Sequence, residues 1–133
     1  MTRQELENMY ITFLKQEGFT PETDKAGVVF KCAGNYYHIL IDERHNNFYF
    51  MVVSIIQAFD ENTSNITKDK GIEIANHITR NMPAIKAFIT DNGQLLILSE
   101  SLVAEPVLFK RIFHNVLEIM DFCIHKFFNS VFE

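Results

Sequence analysis

Read from its N-terminus, the chain places Leu6, Met9, Tyr10, Phe13 and Leu14 at helical spacing, which predicts a first helix over residues 3–17. Thr2, followed three residues later by Glu5, supplies a capping box, and Gly18 ends the helix in a left-handed conformation that folds Phe19 back toward Leu14. The apolar spacing then shortens to two. Residues 28–33 and 36–41 read as strands joined by Gly34-Asn35, a dipeptide suited to a tight hairpin. Beyond a polar loop at 42–47, residues 48–59 form a run in which Phe48, Phe50, Val52 and Ile56 alternate with Tyr49, Met51, Val53 and Ile55. Both faces of that strand are apolar. It is therefore expected inside a sheet, covered on each side by helices, a partner chain or a ligand.

The second half repeats the logic. Asn65 or Thr67 caps a second helix reaching about residue 82, on which Gly71, Ile74, Ala75, Ile78 and Met82 share one arc, with Gly71 letting the backbone approach the sheet. Pro83 stops it. Residues 84–90 read as a strand with one apolar face, Asn92-Gly93 signals a hairpin, and the run Leu95 to Leu98 marks 94–103 as a second interior strand. Glu105-Pro106 opens a last helix to about residue 130, whose apolar positions from Leu108 to Val131 fill about half the wheel, more than one neighbour would cover. Phe122 and Phe132 fall outside even that arc, among Arg111, Asn115, Glu118 and Asn129. Phe122, Ile124, Phe128 and Phe132 are accordingly the candidate partner or dimer interface. With no repeat and no linker, the order α-β-β-β-α-β-β-α predicts a single α+β domain over residues 1–133. Its sheet is expected to be mostly antiparallel and five-stranded, with the first three strands in sequence order and helices packed on it.

Composition narrows the function. At 133 residues and 47% hydrophobic, the chain can close a core without disulfides or a structural metal, and its two cysteines form no framework. Twelve Lys and Arg against 17 Asp and Glu leave a formal charge of −5, and the densest basic cluster is Lys68 with Lys70, which excludes general nucleic-acid binding. The longest strictly apolar run, 48–53, falls far short of the ~20 residues of a membrane span. The opening MTRQELENMY has no apolar stretch of a signal peptide, so the expected compartment is the cytoplasm. The glycosylation sequons at Asn62 and Asn65 then read as loop and cap.

One constellation could carry chemistry. His114, Glu118, Asp121 and His125 fall in one narrow arc of the last helix at spacings of four, three and four. Helical metal sites use such residues, but they recruit ligands from facing helices in a bundle core, whereas this arc is the polar one. The expected reading is a solvated face with local pairs, and no metal. Cys32 and Cys123 lack a CxxC spacing and a basic neighbour, as inert thiols do. His38 alternates with Tyr36 and Leu40 on a strand, and His45 and His77 read as loop and helix surface. The glycines at 18, 27, 34, 71 and 93 make no phosphate loop, and neither GxSxG nor HExxH occurs. No catalytic residue and no cofactor are predicted.

The order of elements, with Ile74-Ala75-Asn76-His77-Ile78 leading through Pro83 into NMPAIKAFITDNGQLLILSESL and a Phe-rich final helix, resembles the YbjN-type relatives of type III secretion chaperones. The likeness runs over nearly the whole chain. It implies a small antiparallel sheet packed with helices, a dimer, and a non-catalytic protein that holds or regulates a partner polypeptide on flat apolar surface or an unpaired strand edge. The alternative is a small ligand-binding sensor or enzyme whose site is assembled from scattered polar residues.

Overall fold

The computed structural model of the chain describes residues 2–41, 49–58, 67–82, 84–91, 93–103 and 105–131, with the backbone alone at 49–58, 101–103, 106 and 126–131. His45, both sequon asparagines, Pro83, Asn92, Phe132 and the side chains of Phe127 and Phe128 lie outside the described residues. Helix α1 spans Arg3–Gln16, α2 Lys68–Asn81 and α3 Phe109–Val131, and the strands are β1 Glu22–Thr23, β2 Gly27–Cys32, β3 Asn35–Leu40, β4 Tyr49–Ala58, β5 Ile85–Ile89 and β6 Gln94–Val103.

The helix ends form as their residues dictate. The Thr2 hydroxyl accepts the Glu5 N–H at 3.1 Å and the Thr67 hydroxyl accepts that of Lys70 at 3.1 Å, each satisfying a donor the first turn cannot. At the other end of α1, Gly18 sits at φ 91° and the Phe19 N–H reaches the Leu14 carbonyl at 2.9 Å, closing the expected C-terminal motif. Met82, preceding Pro83, has left the helical region for φ −105°, ψ 124°, as the residue before a proline is pressed to do. The last helix differs from expectation in its start: Pro106–Leu108 form a 3₁₀ turn before α3 begins.

All the described strands join one antiparallel sheet in the order β1-β2-β3-β4-β6-β5. Strands β4 and β6 are interior, paired along their whole length from Tyr49 opposite Val103 to Ala58 opposite Gln94. The sheet has six strands where five were expected. The extra one, β1, is two exposed polar residues beside Val28 and Val29, too short to leave any periodicity in the sequence. The first hairpin is also shifted by one residue: Cys32 pairs with Asn35, and the turn is Ala33-Gly34 at φ 50° and 83°, not Gly34-Asn35. Two positive φ values in a two-residue link match the twist of the flanking strands. The non-glycine member costs about 1–2 kcal/mol, offset by a register that stacks Phe30 on Tyr37 at 5.6 Å and 15°.

One core holds these elements together. The inward residues Val28, Phe30, Tyr37, Ile39, Ile85, Ala87, Leu95 and Ile97 meet Tyr10, Phe13 and Leu14 of α1, Ile74, Ala75 and Ile78 of α2, and Phe109, Phe113, Val116, Leu117, Met120, Cys123 and Ile124 of α3. Phe109 packs edge-on against Tyr10 at 4.7 Å and Phe13 at 4.9 Å, so the wide apolar arc of α3 is shared between the sheet and α1. Phe109, Phe113, Val116 and Met120 are buried, and over its described side chains, to Ile124, the apolar arc is used inside the chain.

Each edge of the sheet is partly occupied. On the β5 edge, the Thr79 hydroxyl donates to the Ala87 carbonyl at 3.0 Å and accepts the Ala87 N–H at 2.8 Å, so α2 takes up both main-chain groups of Ala87, at the middle of the strand. On the other edge β1 covers Val28 and Val29, and Asp24 Oδ1 accepts the Ala26 and Gly27 N–H groups at 2.9 Å each. Thr79→Val keeps the shape but leaves both Ala87 groups without a partner. Chemical denaturation should show it less stable by about 1–3 kcal/mol, a cost that would be absent if the hydroxyl merely faced water.

Candidate functional site

The polar arc of α3 does not assemble into a site. His114 turns toward α1, with Nε2 at 3.2 Å from Glu17 Oε2, and so ties the two helices together across 97 residues of sequence. His125 stays within its own turn: Nδ1 lies 2.9 Å from the Asp121 carbonyl and 3.5 Å from Asp121 Oδ2. Glu118 is exposed. Among the described residues no three His, Cys, Asp or Glu side chains are grouped so as to hold a metal ion. A shared arc on a wheel sets direction only: His114 reaches Glu17 on another helix, while His125 stays with Asp121 in its own turn.

Asp121 is the member of the four that turns inward. Its Oδ1 is buried without a hydrogen-bond partner, and its charge reaches two groups of the β2–β3 hairpin. Burial, reinforced by Asp121 and then Cys32, pushes the Tyr37 hydroxyl up to about 12, and burial with Asp121 also raises the Cys32 thiol. A nucleophilic cysteine requires the opposite, a cationic neighbour that favours the thiolate. Cys123 is buried in the core, and neither cysteine is in a disulfide. The Tyr10 hydroxyl, raised to about 12 by burial alone, belongs to the α1–α3 packing.

A pair that the sequence did not announce joins β3 to the turn before β2. His38 Nε2 lies 2.8 Å from Asp24 Oδ2, and this hydrogen bond is the main reason the Asp24 carboxyl is held below its ordinary range, the two backbone N–H groups adding to it. Arg3 fastens the same turn from α1, donating to the Lys25 carbonyl at 2.6 Å and the Ile41 carbonyl at 3.4 Å. The signal available was Asp24 followed by Gly27, with His38 on the outward parity of its strand. These contacts hold the turn; they do not poise a base against a nucleophile.

Of the four interface candidates, Phe122 is 55% exposed on the polar side of α3. Ile124 must be corrected: it is 5% exposed and part of the core, because the flank of the arc that seemed surplus on the wheel is met by the chain's own sheet and helices. The side chain of Phe128 and the whole of Phe132 are outside the described residues.

Among the described residues, the surface that stands open is the outer face of the sheet. Every described buried side chain of the three helices belongs to the single core on the inner face, and no described helix covers the other. There Leu40, Leu96 and Leu98 are half-buried, while Tyr36 and Phe88 are 63% and 43% exposed. Charged groups mark its two margins: Lys31 Nζ lies 5.6 Å over the Tyr36 ring, and Lys86 pairs with Glu100 at 3.2 Å between β5 and β6. The sequence carries this pattern as two-sided strands, but which side the helices take is not visible in it.

Neither a protein-family model nor a curated protein matches the sequence. Among solved structures, the crystal structure of YbjN from E. coli, described as a proposed transcription regulator, matches with a TM-score of 0.66 over 88% of this chain and 87% of that one, at 13% identity. The chain therefore has the YbjN-type α+β fold. No described helix is long and apolar enough to cross a membrane.

Proposed function

We propose that the chain is a non-catalytic protein-binding module that holds or regulates a partner polypeptide on the outer face of its sheet. The observation that carries this reading is that face, over which no described helix packs, with leucines toward its middle, two exposed aromatic rings and charged margins. That layout is how protein interfaces are built, with apolar anchors inside a polar rim. The sheet edges support the choice of face, because Thr79 and the β1–Asp24 segment already occupy main-chain groups that strand addition would use. The raised Cys32 thiol argues in the same direction, against nucleophilic chemistry. The transcription-regulator description belongs to the structural neighbour. With a charge of −5, this chain would regulate by holding a protein and not by gripping nucleic acid.

The test is capture from the source cells with the wild-type protein and with a Tyr36→Glu, Phe88→Glu variant. Both residues are exposed, so the variant should keep its circular dichroism and melting temperature. Loss of two aromatic anchors at ~2 kcal/mol each should weaken the captured partner by at least about a hundredfold. Retention of the same partner by the variant would sink the face as the binding surface. If the wild type returns only itself while a metabolite screen gives a saturable ligand that raises its melting temperature, the sensor reading replaces this one.

The same proposal places the protein in the cytoplasm as a homodimer that uses Phe122 of α3. Phe122→Asp should then lower the sedimenting mass from that of two chains to that of one, with folding unchanged because the side chain is already in water. An unchanged mass would make Phe122 an ordinary scattered surface aromatic.

A further inference from the structure

We draw no further inference here: the strongest candidate, the cluster of Cys32, Tyr37 and Asp121 where α3 meets the β2–β3 hairpin, joins a lone thiol to a part-exposed carboxylate, and nothing in the structure points to a ligand between them.

Discussion

Gly27→Ala should remove a large part of the protein's folding stability. Gly27 opens β2 at φ 155°, and a Cβ built there would collide with the Ile39 carbonyl oxygen and stand 3.1 Å from the Ile41 nitrogen. Both are backbone atoms of the neighbouring chain segment, so no side chain can swing aside to make room. The surrounding contacts also resist a shift, since Ile41 N–H bonds the Ala26 carbonyl at 2.9 Å and Asp24 N–H bonds the Gly27 carbonyl at 3.0 Å. The change combines a backbone conformation that L-residues avoid with a clash at the junction of β1, β2 and β3. A loss of about 4 kcal/mol or more is expected, a large part of the stability of an ordinary domain. Urea denaturation followed by circular dichroism measures it directly. A loss below ~1 kcal/mol would mean the strand start can move, and that the close approach is not required.

Phe113→Ala carries the second large effect, for reasons of packing instead of backbone. Its ring lies 5.3 Å from Phe13, 5.6 Å from Phe30, 6.1 Å from Phe109 and 6.2 Å from Phe19, which makes it the point where α1, the sheet and α3 meet. It is fully buried. Truncation removes the transfer energy of a whole ring and leaves a cavity walled by other rings that cannot collapse into it, so a loss of about 3–5 kcal/mol is expected. Phe113→Leu, which refills most of that space, should lose clearly less. Phe122→Ala, nine residues and about 13 Å further along the same helix and exposed, should change stability by less than about 0.5 kcal/mol. If Phe113→Ala and Phe122→Ala came out alike, the placement of the core would be wrong.

These two positions show what a sequence reveals about this fold. Phe113 was legible because a helical period needs only a stripe, and α3 presents one from Phe109 to Ile124. The interior strands were legible for a similar reason: the two-sided runs around Val53 and Leu95 can only sit between other strands, and β4 and β6 do. Gly27 was not, because its constraint comes from a carbonyl on another strand, and a lone glycine before a strand carries no record of that neighbour. β1 was missed since two residues hold no period, and it is secured by Asp24 and its bonds more than by burial. The surface was read less well for one common cause. His114 and Glu17 meet only after folding, and the arc of α3 gives its width but not the number of neighbours that fill it. Ile124 was counted as surplus on that account. The candidate binding face follows from a choice the helices make, all packing on one side, which no single strand encodes.

The sheet order has a consequence for how the protein is made. β2, β3 and β4 follow one another in sequence and β5 and β6 form their own hairpin, so within the sheet the two halves are joined through the long ladder between β4 and β6. During synthesis β4 leaves the ribosome with one side paired to β3 and the other open. Its partner is complete only when Val103 has been added, ~45 residues after Ala58. At about 5–20 residues per second, that leaves β4 with an unsatisfied edge for roughly 2–9 seconds in every molecule produced. The nascent chain is thus most open to wrong pairing at a strand that the finished protein hides in the middle of its sheet.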